Sequence, residues 1–307
     1  MWTTNTSSSQ SVDGNFSNIS SHDQLCIGSY STILDILMLV VNLPIALYVV
    51  VELFLKQCVT PSSPGNSPSS SQNEHLFLHL ACSHLIYYIR VLLNIIQNLG
   101  GVTGIGQEYI TAFHSCSLIG GSLFFAGMSI DLYVAVAHPV AYVNQKASTK
   151  QIHANIFCTF VWIYTVTIGI VTVTFNIKMY HPLTMASFCA AVPVSFIFCA
   201  VVLFILHPAG SGKGSQTSRP DKIKQTAIRF ILNSLIILSI YFLPHICVMI
   251  YLSVKKADWL HLPCQVLPLM LTVQISEFVT PLIFFHNTGK LGVIAKHCLT
   301  ICRNIGS

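Results

Sequence analysis

The sequence predicts an all-α membrane protein, a bundle of seven transmembrane helices with a short amphipathic eighth helix after it. Three observations lead there. Only 8% of the 307 residues are charged and 53% are hydrophobic, whereas an ordinary soluble domain carries roughly 25% charged residues. The mean hydropathy is +0.67. The apolar residues also gather into seven long runs, each near the ~20 residues that a helix rising ~1.5 Å per residue needs to cross a ~30 Å hydrocarbon core. Only helices and closed barrels span a bilayer, and no run alternates long enough to suggest a barrel.

The elements follow in order. Residues 1–28 form a polar tail rich in Ser and Asn. It lacks a basic region followed by an apolar stretch, so it does not read as a signal peptide, and the first span is expected to target the chain. The spans are predicted at Tyr30–Leu55, His75–Gly100, Glu108–Ala137, Ile152–Phe175, Pro182–His207, Lys224–Val254 and Leu262–His286. They make up a membrane domain of residues 29–288. Residues 289–307 hold the amphipathic stretch Gly289–Arg303 and a tail. Of the 11 cysteines most fall in spans, such as Cys82, Cys158, Cys199 and Cys247, and read as small buried hydrophobes.

Charge placement orients the chain. With the N-terminus outside, the inner segments hold Lys56, Lys146, Lys150, Lys213, Arg219, Lys222, Lys224, Arg229, Lys290, Lys296 and Arg303, which is 11 of 15 basic residues. The positive-inside rule therefore favours a multi-pass protein with its N-terminal tail on the outer side. Asn5, Asn15 and Asn18 each begin a glycosylation sequon in that tail, which fits the same orientation. Two inner loops are long. Residues 58–74 are Ser/Pro-rich and are expected to be a disordered linker, and residues 208–221 are Gly/Ser-rich and basic at their end.

Other function classes fare worse. No basic patch interleaves with aromatics, which argues against a nucleic-acid partner. No internal repeat or charged pathway suggests a transporter. His75 and His79 stand at the i,i+4 spacing of a metal pair, but the other histidines are scattered singly and no protease element is evident. The expectation is therefore a protein that is not an enzyme and has no resident metal or cofactor.

Several segments then stand in register with one known family. Asp131-Leu132-Tyr133-Val134-Ala135-Val136-Ala137-His138-Pro139 closes the third span. Asn42 lies in VVNLPIALYVV, LHLACSHL covers Leu78–Leu85, Trp162 sits in the middle of the fourth span, and Pro193 is in the fifth. Tyr241-Phe242-Leu243-Pro244 and Thr280-Pro281-Leu282-Ile283-Phe284 mark the sixth and seventh. Over residues 29–303 the chain resembles the rhodopsin-like (class A) G-protein-coupled receptors, as a divergent member. The resemblance implies a cell-surface receptor that passes an extracellular ligand signal to a heterotrimeric G protein or an arrestin. It also implies a switch at Asp131, Leu132, Tyr133, Pro244, Thr280, Pro281 and Phe284, and lipid-modified cysteines at Cys298 and Cys302. Membrane lipid is the remaining partner. The prolines of the later spans each remove an intrahelical hydrogen bond and are plausible hinges.

The departures matter as much. Where the family places arginine, this chain has Leu132, which can neither pair with Asp131 nor donate a hydrogen bond. Asp131 must then face water or another donor. Either coupling is altered, leaving a receptor-like protein that binds ligand without activating G proteins (a scavenger, an arrestin-biased receptor or a co-receptor), or another contact substitutes. The family's acidic residue of the second span is His84 here, and Glu277 stands in the seventh. We expect these two to form a core polar pair, with sodium binding lost; the alternative is that they do not touch. The usual disulfide at the start of the third span lacks its cysteine, since Cys116 lies too deep. Some family members join the tail to the seventh span, which implies a Cys26–Cys264 disulfide here. Candidate ligand contacts are Arg90, Asn94, Ser122, Tyr241, Phe242, His245 and Gln274, with Gln97 nearby. Arg90 is expected to hold an acidic group of the ligand, because a lone arginine in a span faces a cavity or the interface.

Overall fold

A computed structural model describes residues 21–59, 71–100, 106–175 and 180–206, and scattered positions between 231 and 251. The described residues are all helical or in short connections. In chain order the helices are α1 (Ser21–Val59), α2 (Ser71–Gly100), α3 (Gln107–Ala137), α4 (Pro139–Asn144), α5 (Ala147–Phe175) and α6 (Tyr180–Leu206). Five of them, all but α4, are long and apolar enough to cross a membrane. The described positions from 231 to 251 are helical as well and fall within the predicted sixth span.

The helices are inverted relative to those of a soluble protein. Along α1 the buried residues are Asp35, Met38, Asn42, Ala46, Val49 and Leu53, one face at the three-and-four spacing of a helix. That face carries the polar residues. Ile33, Leu37, Val40, Leu47, Val51 and Phe54 are exposed on the others, as a helix surrounded by lipid requires. In α5 the buried face is Ala154, Cys158, Val161, Thr165, Ile168 and Thr172.

The third helix, α3, is the centre of the bundle. It packs against α2, α5 and α6, and α1 packs on α2. The main apolar core joins Leu80 of α2, Leu118, Phe124, Phe125 and Met128 of α3, Val161 of α5, Phe188 of α6 and Phe242. Small residues allow the close approach. A Cβ on Gly120 would meet Ser83 Cβ at 3.5 Å and Thr165 Cγ2 at 3.6 Å, so α2, α3 and α5 converge there. Hydroxyls buried in this core bond to their own helix. Ser129 Oγ donates to Phe125 O at 2.9 Å, Thr172 Oγ1 to Ile168 O at 2.8 Å and Ser195 Oγ to Ala191 O at 2.9 Å. The hydrogens of these three hydroxyls are thereby satisfied within their own helices.

The helices start earlier than predicted. The first begins at Ser21 rather than Tyr30, the second at Ser71 rather than His75, and the fourth predicted span, α5, at Ala147 rather than Ile152. Apolarity marks the part of a helix that lies in lipid. The helix itself runs on until a breaker stops it, so the boundary drawn at residue 28 cuts through α1. Likewise, the linker expected from residue 58 to 74 gives residues to α1 and α2 at its two ends. The short helix α4 was not anticipated. Its signal was Pro139 in the first helical position, where a missing N–H costs nothing.

Candidate functional site

Two polar clusters stand out, one near each end of the bundle. The first joins α1 and α2. Asp35 is wholly buried. Asn94 Nδ2 donates to its Oδ2 at 2.6 Å, and Arg90 Nη1 lies 3.9 Å from Oδ1. The guanidinium also sits 5.5 Å from the centroid of the Tyr87 ring, one turn earlier on α2. One turn further along, Asn98 Nδ2 donates to Thr32 Oγ1 at 3.1 Å. Asp35 Oδ1 and Arg90 Nε make no hydrogen bond among the described residues. The pair is thus charge-compensated with hydrogen-bonding capacity unused. Arg90 and Asn94, expected to meet a ligand, both engage Asp35. Asp35 was overlooked in the sequence, although a carboxylate inside a span is itself a strong signal of function.

The second cluster closes the opposite end of α3. Asp131 is buried at 8% exposure. The backbone turns at His138, and α4 carries Tyr142 back so that its hydroxyl donates to Asp131 Oδ2 at 3.3 Å. Lys150 Nζ lies 3.6 Å from the centroid of the Tyr142 ring. Burial, the Asp131 charge and the hydrogen bond to it push the Tyr142 hydroxyl up to about 12. Tyrosine is therefore the other donor that Asp131 needs. Leu132 and Tyr133 pack against an apolar cluster of Cys199, Val202 and Ile231. The Tyr133 ring also lies 4.9 Å from that of Phe198.

Other expected site residues fall in different surroundings. Ser122 is buried and donates to Ile119 O at 2.9 Å, so its hydroxyl is turned to its own helix. Phe242 is buried against Phe188, with ring centroids 5.6 Å apart, and against Phe125 at 6.5 Å. His84 and Pro244 are half-buried. Cys26 belongs to the first turns of α1. Cys116 Sγ donates to Thr165 O at 3.4 Å, deep between α3 and α5. Tyr241, His245, Gln274, Glu277, Thr280, Pro281, Phe284, Cys264, Cys298, Cys302, Asn5, Asn15 and Asn18 lie outside the described residues.

No protein-family model matches the chain, and no curated protein is a significant match.

Proposed function

We propose that the chain is a seven-helix receptor of the plasma membrane with its N-terminus outside, and that it takes an extracellular ligand and passes a helix rearrangement to a G protein or arrestin. The observation that carries this reading is the Asp131–Tyr142 hydrogen bond. A buried carboxylate, at the position matching the family's switch, is held across the His138 turn by one bond. A single neutral hydroxyl is a modest restraint, ~1 kcal/mol net, so the end of α3 and the short α4 can separate when the bundle repacks. The Asp35–Arg90–Asn94 cluster supports a ligand site in the outer half. A ligand carboxylate reaching Arg90 competes with Asp35, and that competition couples binding to how α1 and α2 pair.

One observation favours the second reading, a receptor-like protein that binds ligand without activating a G protein. Leu132 is packed in an apolar cluster with α6 and Ile231 and offers a partner no charge. No enzymatic role is proposed.

The test is a G-protein and arrestin biosensor panel comparing wild type with Leu132→Arg at matched surface expression. Signal from the wild type supports coupling through the existing side chain. A silent wild type with gain in Leu132→Arg supports the non-signalling reading and assigns it to that position. Silence in both, with good surface expression, counts against coupling.

A further inference from the structure

We propose a metal site between α2 and α5, formed by His75, His79 and Cys158, that takes a borderline-to-soft d10 cation, Zn²⁺ or Cu⁺. One turn of α2 separates the two histidines, and Cys158 faces them from α5. The ligand atoms of all three lie within 4.8 Å of one another. Neither ring nitrogen of His75 forms a hydrogen bond, although both are buried and the Asn155 side chain is beside it. Unused imidazole nitrogens next to a buried thiol are what a metal satisfies. Two nitrogens and a sulfur suit zinc or copper rather than magnesium or calcium, which prefer oxygen. Bonds of ~2.0–2.3 Å to each donor set ligand atoms roughly 3–4 Å apart, so the site contracts by about an ångström on filling. The two half-buried histidines leave a way in.

The chemistry balances simply. The Cys158 thiol gives its proton to water and its sulfur lone pair to the ion. His79 imposes a second requirement. The Trp162 indole N–H donates to its Nδ1 at 3.0 Å, and an indole nitrogen only donates. In a neutral ring that contact places the remaining proton on Nε2. A metal at Nδ1 displaces the indole. A metal at Nε2 moves the proton to Nδ1, where it points at the indole N–H. Metal binding and the Trp162–His79 hydrogen bond therefore exclude each other. The sequence showed the histidine pair but not Cys158, which lies 79 positions after His79 and meets it only once α2 and α5 pack.

The test uses full-length protein in lipid nanodiscs, stripped with chelator and reduced. Co²⁺ is titrated and the near-ultraviolet thiolate-to-cobalt band recorded, with competition by Zn²⁺ and by Cu⁺. One equivalent should give the band, Cys158→Ser should abolish it, and His75→Gln should weaken binding by at least about tenfold, the scale on which even supporting residues act. The Asn155 side chain beside His75 can still bond to a glutamine there, so that variant tests the site even if Cys158→Ser misfolds. Trp162→Phe should bind several-fold tighter, because no indole contact has to be broken. Displacement by equimolar Zn²⁺ assigns zinc, and displacement by Cu⁺ alone assigns copper. Absence of stoichiometric binding of Co²⁺ and Cu⁺, or a band that survives Cys158→Ser, would overturn the proposal and leave an aromatic cluster around His79 with no metal role. Neither result bears on the receptor reading.

Discussion

Tyr142 shows how one side chain carries consequences at a distance. Its hydroxyl ordinarily titrates near 10 and here is held up to about 12 by burial first, then by Asp131. A group whose folded value is raised stabilises the fold fully below its unfolded value. That contribution disappears as pH rises through the folded one. The window is therefore about pH 10 to 12, with a slope of roughly 1.4 kcal/mol per pH unit. We expect wild type to lose thermal stability faster than Tyr142→Phe between pH 9 and pH 11.5, measured by denaturation midpoints in the same lipid. Below pH 9 the variant should be the less stable by about 1–3 kcal/mol, because Asp131 loses its donor. Midpoints that run parallel across the whole range would remove Tyr142 from this role. The sequence pointed to Asp131 needing a donor, but the donor comes from a turn of chain after His138, and only the α3–α4 angle shows it. Asp35 was legible as well, as a carboxylate in the first turn of an apolar span.

At the level of elements, the apolar runs located every described span, and their termini were misjudged by up to nine residues, at the start of α1. Hydropathy reads the solvent around a helix and not its hydrogen bonding. What hydropathy cannot read is which face of α3 meets which neighbour, because α3 is apolar or small nearly all round. Gly120 makes the point. The site accepts one methyl, since a Cβ meets ordinary van der Waals contacts at 3.5–3.6 Å, but nothing beyond it. Gly120→Ala should keep the expression and midpoint of wild type. Gly120→Leu should push α2 and α5 apart and lower stability by about 1–3 kcal/mol or more. A leucine variant as stable as the alanine one would show that the three helices do not converge as tightly as described.

For the whole molecule, the proposed orientation rests on three sequons and on the 11 basic residues that the predicted topology puts on one side, two features that arise independently. Together they predict glycans on the tail. Deglycosylation of protein from mammalian cells should lower its apparent mass, and replacing Asn5, Asn15 and Asn18 by Gln should abolish that shift. An unshifted wild type would put the tail in the cytoplasm, and with it the ligand and partner ends would exchange. The five described spans were legible because lipid demands one polarity from each of them. The sites were legible only in part, because each draws residues from two helices: Asp35 with Arg90, Asp131 with Tyr142, and His79 with Cys158.

The buried face of α1 also bears on how the chain is made. Translation delivers α1 to the membrane before α2 exists. Asp35, the fourth residue of the span Thr32–Leu55, then has no Arg90 or Asn94, and it carries only part of the ~2.5–3.5 kcal/mol that a carboxylate costs at the centre of an inserting segment. The run from Thr32 to Leu55 is apolar enough to outweigh it, but the carboxylate gains its partners only once α2 emerges. The α1–α2 hairpin is then the first unit in which that carboxylate is paired. A substitution at Arg90 would be felt first by the newborn chain as failure to leave the endoplasmic reticulum, before any ligand had been met.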